Sequence, residues 1–131
     1  QAWGGYGLFW TQDDVAKIVT LLNNDGGVVG GTQLLHPQIL ADAMQKNPND
    51  RGLTTANQPF MYNNGFWARE FTPAQFPEYN CTFWTPFMSG YGGITVVMMP
   101  NGSTYYYFSD NDEFAWFSAV SESNNILSHC P

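Results

Sequence analysis

Positive charge is scarce in this chain. Lys and Arg together number four among 131 residues, against eleven Asp and Glu, for a net charge of −7. A surface this acidic repels a phosphate backbone, which excludes nucleic acid as a partner. Charged residues of both signs make up only 11% of the chain while hydrophobic residues make up 44%. That balance excludes a solvated, disordered polypeptide and calls for a packed core. Long apolar runs are missing too: none approaches the roughly 20 residues that cross a bilayer, so no transmembrane segment is expected. Cysteine is limited to Cys81 and Cys130, with no Cys-x-x-Cys pattern for redox or zinc chemistry. His36 precedes a proline and His129 lies in the tail. Neither has a partner at metal or triad spacing, so neither a metal nor another cofactor is expected. The chain starts at Gln1 without a signal peptide and reads as a processed product or an excised fragment.

In an exported protein Cys81 and Cys130 could pair, but sequence gives no distance between them, and the bonded and free forms both stay open. Asn80-Cys81-Thr82 and Asn101-Gly102-Ser103 fit the N-glycosylation acceptor pattern, which also arises often by chance.

Aromatic residues are abundant at 17%, and they favour strands and bury large areas. The length suits one domain or half-domain, with residues 1–57 mainly helical and residues 58–131 carrying antiparallel strands and a closing helix. Residues 3–10, Gly-rich and aromatic, read as a loop or a short extended piece. Thr11 with Asp14 three residues on forms a capping box that opens a helix with Val15, Ile18, Val19 and Leu22 on one face. Asn23-Asn24-Asp25-Gly26-Gly27 stops it. Residues 28–35 read as a small hairpin about Gly30-Gly31, and His36-Pro37 starts a second helix with an Ile39, Leu40, Ala43, Met44 stripe.

From residue 60 to 71 the aromatic run predicts one long or bulged strand. Residues 82–87 read as a short extended piece. Residues 94–99 and 103–109 flank Pro100-Asn101-Gly102 as a hairpin. Asp110-Asn111-Asp112-Glu113 is expected to cap a closing helix over Phe114 to Val120. Its acidic cluster lacks the glycine and distal glutamate of a calcium loop. The order predicts an α+β fold, an antiparallel sheet with flanking helices.

Three stretches carry a resemblance. Gly4-Gly5-Tyr6-Gly7-Leu8-Phe9-Trp10-Thr11-Gln12-Asp13-Asp14-Val15-Ala16-Lys17 is similar to a Gly-Leu-x-x-Thr-x-x-Asp-x-Ala helix entry. Leu21-Leu22-Asn23 through Gln33-Leu34-Leu35-His36-Pro37 looks like a helix, Gly-rich hairpin and Leu-Leu-Ser-Pro helix unit. Met88-Ser89-Gly90-Tyr91-Gly92-Gly93, with the strand, Pro-Asn-Gly turn and strand that follow, resembles an active-site strand bearing Lys-Thr-Gly or His-Ser-Gly. In this order they resemble the C-terminal portion of the serine β-lactamase and penicillin-binding-protein family, D-alanyl-D-alanine peptidases of the class C type included.

The resemblance implies a β-lactamase/transpeptidase-like fold and an acyl-serine mechanism on ester, amide or peptide substrates, in a secreted or periplasmic protein. A serine hydroxyl needs an adjacent base, and the oxyanion needs donors already in place. By position, the backbone N–H of Tyr91 is implied as one oxyanion donor. Met88, Ser89 and Gly90 are implied as substrate-binding residues, Ser89 through its hydroxyl and Gly90 by leaving room for substrate. Two departures stand out. No Ser-x-x-Lys occurs, so the nucleophile must come from elsewhere, and Met88 stands where the family has a cation; a thioether does not attract a carboxylate. A non-catalytic binding module of the same lineage, for peptide, cell-wall fragment or partner chain, is therefore the alternative. A complementary N-terminal chain or a homodimer is the expected partner, because apolar faces made to meet a missing half would be exposed. Tyr62-Asn63-Asn64 matches the family's Tyr-x-Asn in letters but falls on a strand, far from where that loop belongs, and is read as coincidence.

Overall fold

A computed structural model of the chain describes residues 9–56 and 59–131. The reading of residues 3–10 as a loop lies largely outside the described residues. Three helices and eight strands follow in the order α1 (Gln12–Asn23), β1 (Val28–Val29), β2 (Thr32–Gln33), α2 (Pro37–Ala43), β3 (Leu53–Thr54), β4 (Phe60–Asn63), β5 (Phe66–Phe71), β6 (Phe83–Gly90), β7 (Ile94–Met98), β8 (Thr104–Phe108) and α3 (Phe117–Ile126). β1 and β2 pair alone. β3 to β8 form one six-stranded antiparallel meander in sequence order. The chain is α+β.

The start of α1 follows from its capping box. The Thr11 hydroxyl accepts from the Asp14 N–H at 3.2 Å, and the Asp14 carboxylate accepts from the Thr11 N–H at 2.9 Å. The Thr11 N–H, then its hydroxyl, hold the Asp14 carboxyl below its usual range.

Strand alternation gives the sheet two apolar faces. Val96 and Met98 of β7 point to one, where they meet Val15 and Val19 of α1, Leu40 of α2 and Met44 at its C-cap. Val97 and Met99 point to the other, beneath Trp116 and Val120 of the α3 region, with Phe71, Phe83 and Phe87. The sheet is thus covered on both sides. The disulfide Cys81–Cys130 ties the segment before β6 to the segment after α3, with Cα atoms 5.7 Å apart.

Three expectations need correction. Residues 60–71 are not one strand. Asn64 (φ 48°) and Gly65 (φ 90°) make a two-residue turn that folds β4 onto β5, with Asn63 opposite Phe66 and Tyr62 opposite Trp67. Both turn residues need positive φ, which Asn and Gly tolerate best. The closing helix does not start at the acidic cluster. It begins at Phe117, its N-cap Trp116 makes no side-chain cap bond, and residues 110–115 cross the surface as a loop. β6 also runs further than the short piece expected, to Gly90.

Asn101 does more than turn the β7–β8 hairpin. Its side-chain nitrogen donates to the Leu127 carbonyl at 2.7 Å and to the hydroxyl and carbonyl of Ser123, fixing the turn to α3. A glycan on that nitrogen would displace these bonds.

Candidate functional site

The Met88–Tyr91 segment closes β6 and enters the turn to β7. Met88 stands opposite Val96, Ser89 opposite Thr95 and Gly90 opposite Ile94, the last pair of the ladder. Tyr91, Gly92 and Gly93 form the turn, with Tyr91 98% exposed at its tip. The turn is braced from the far strand. The Ser109 hydroxyl and the Asp112 N–H both donate to the Gly92 carbonyl, at 3.2 and 3.3 Å, and the Ser109 N–H donates to the Gly93 carbonyl at 3.4 Å. A Cβ on Gly93 would fall 2.1 Å from the Ser109 hydroxyl oxygen and 2.9 Å from the Glu113 carbonyl, so only glycine fits. The Asp110–Glu113 cluster therefore clamps this turn, and Asp112 takes φ 56° to do so.

The side chains of the segment part company. Ser89 is exposed. Met88 is half-buried and packs with Val15, Val19, Val96 and Met98 on the α1/α2 face. Gly90 has a local reason to be glycine: a Cβ there would stand 3.2 Å from Ile94 Cβ, tighter than ordinary packing. Among the described residues no group of His, Cys, Asp and Glu could hold a metal ion, and no helix is long and apolar enough to cross a membrane. His36 caps α2 without a side-chain bond, and His129 is buried with Nε2 2.9 Å from the Val120 carbonyl. Neither faces the turn through any described contact.

Two clefts lie elsewhere. One, of about 270 Å³, opens between the end of α2 and the far end of β6, lined by Gln45, Lys46, Trp84, Pro86 and Met99 among others. The second, shallower, lies along α1 beside Val29. Neither is lined by residues 88–91.

Sequence reasoning missed two features. Arg69 sits among the rings of Phe60, Phe71, Phe76 and Phe117. Its signal in the sequence is its place in the strand register, which a single strand over residues 60–71 does not give. Gln45 takes φ 58° at the end of α2, with its side-chain amide buried and both polar atoms unpartnered; nothing in the local pattern marks it. No protein-family model, no curated protein and no solved structure matches this chain.

Proposed function

We propose that this chain supplies one wall of an acyl-serine hydrolase cleft, in an exported protein, with the attacking hydroxyl and its base contributed from outside these 131 residues. The observation that carries the reading is Tyr91 at the exposed tip of a turn braced by Ser109 and Asp112. An oxyanion donor must be fixed before charge develops, and a clamped turn meets that need better than a loose one. In the reaction, a serine oxygen adds to the substrate carbonyl as its proton passes to a base. The Tyr91 N–H donates to the resulting oxyanion. Collapse expels the alcohol or amine with the returned proton, and water completes the cycle by hydrolysing the acyl-serine. Ser89, exposed beside the turn, contacts the substrate's carboxylate or carbonyl, and Gly90 keeps that edge of the strand low. A β-lactamase/transpeptidase-like architecture is part of this proposal. The test is acylation by a fluorescent fluorophosphonate of a polypeptide that carries this segment together with a Ser-x-x-Lys region, or of this chain mixed with such a partner. Stoichiometric serine labelling supports the reading, and no labelling refutes it.

One observation favours a second reading. Met88, at the family's cationic position, is packed among Val15, Val19 and Val96. A wall without that cation suits a non-catalytic module that binds peptide or cell-wall material; retained binding with no acylation would select it.

A further inference from the structure

Arg69 is one of only four basic residues in the chain, and it lies inside the sheet. On the α3 face it stands between Phe60 of β4 and Thr85 of β6, its two cross-strand neighbours. Its guanidinium carbon is 4.5 Å from the centroid of the Phe117 ring, 5.5 Å from those of Phe60 and Phe76, and 5.8 Å from that of Phe71. Four rings fix the direction of the fork, and cation–π attraction holds it there.

Among the described residues the fork has no ion-pair partner. The one ion pair among the described residues is Lys17 with Asp13, on the outer surface of α1. No described acceptor takes a hydrogen bond from Arg69, and its Nε is sealed from solvent without a partner. Next to it, the Thr85 hydroxyl is buried and likewise unpartnered. Partial burial disfavours the charged form of Arg69. In an acidic protein a cation so placed would ordinarily have recruited one of eleven carboxylates. The surroundings add to the same sign. Phe117 is the first residue of α3, whose N-terminus has no side-chain cap and no acidic residue in its first turn, so the helix dipole there is uncompensated.

We infer that Arg69 and its ring collar form a binding site for an aryl carboxylate. The planar fork matches a carboxylate with two parallel hydrogen bonds, which a lysine cannot reproduce. Phe117 keeps 42% of its surface exposed beside the fork, leaving a face against which the ligand's ring can stack. The site is separate from the Tyr91 turn. Thr85 and Tyr91 are six residues apart along β6 and its turn, roughly 20 Å.

Phenylacetate is the probe, and the Arg69 Nε–H resonance in a titration of the whole chain is the readout. A saturable shift of that resonance is expected. Arg69→Lys should weaken binding at least about tenfold while the fold is kept, since the charge stays and only the fork is lost. Phenylacetamide, with the ring but no charge, and acetate, with the charge but no ring, should each bind about tenfold more weakly or worse. If phenylacetate leaves Nε–H unmoved, or binds wild type and Arg69→Lys alike, Arg69 is a structural staple and the inference fails. Arg69→Lys answers the question even if Arg69→Gln does not fold.

Discussion

His129 Nε2 lies 2.9 Å from the main-chain oxygen of Val120, so the ring donates its proton into the start of α3 from the residue that precedes Cys130. The other ring nitrogen is buried with no partner. Phe83 and Tyr79 pack against the ring, at centroid distances of 4.9 and 6.2 Å. Protonation would bury a charge whose second N–H has no acceptor. Burial therefore lowers the His129 pKa below its ordinary 6.5, against the smaller opposing pull of the Val120 carbonyl.

The sign of the pH effect follows from that direction. The unfolded chain takes up the proton more readily than the folded one, so His129 contributes stability above pH 6.5 that is lost as pH falls through that value toward the folded pKa. Urea midpoints measured at pH 7.5 and pH 5.5 should fall at the lower pH. His129→Phe should flatten the dependence.

The Cys81–Cys130 bond closes a loop with 49 residues of sequence separation. Constraining that loop in the unfolded chain is worth about 4 kcal/mol on the chain-entropy account. Cys81→Ser with Cys130→Ser should lower the unfolding free energy by roughly that amount, measured by denaturant titration. The loss should centre on α3 and the tail, visible as faster amide exchange there than in β6 and β7.

Gln45 carries two burdens: a positive φ of 58° and a buried amide with neither polar atom bonded. Its main chain does the structural task, because Lys46 N–H reaches the Ala41 carbonyl at 2.8 Å to close the end of α2 and the Gln45 carbonyl accepts from Arg51. Glycine keeps both bonds and relieves the backbone. Gln45→Gly should raise stability by about 1 kcal/mol, seen as a higher urea midpoint. A lower midpoint would show that the amide has a partner.

Asn64-Gly65 sets the register that places Arg69 opposite Phe60. Gly65→Ala puts a Cβ at φ 90°, and should cost more than 1 kcal/mol in thermal or urea unfolding. Asn64→Ala should cost less, since φ 48° is the ordinary left-handed region.

These turns show what the sequence could and could not convey. Thr11 with Asp14, Gly30-Gly31 and Pro100-Asn101-Gly102 act through neighbours a few residues away, and each element forms where its local chemistry points. Asn64-Gly65 is an equally local signal, obscured by the unbroken aromatic run around it. The start of α3 is different. Asp110 and Glu113 look like a cap, but Asp112 N–H is used on Gly92, twenty residues back, and the chain turns helical only after Trp116 has packed on Phe87. At the candidate site Ser89 and Tyr91 are exposed, while the packing of Met88 depends on α1, which no motif at residues 88–93 specifies. The Arg69 collar draws on β4, β5, the connection to β6 and α3, and has no linear signature.

The role given to the Tyr91 amide is tested by removing that one hydrogen-bond donor. In a polypeptide that joins this chain to a Ser-x-x-Lys region, Tyr91→Pro deletes the N–H while Tyr91→Ala keeps it and loses only an exposed ring. The rate of acylation by a fluorophosphonate should fall by about 10²–10³ for Tyr91→Pro and stay near wild type for Tyr91→Ala. Equal rates in the two variants, with both folded by amide exchange, would contradict the assignment.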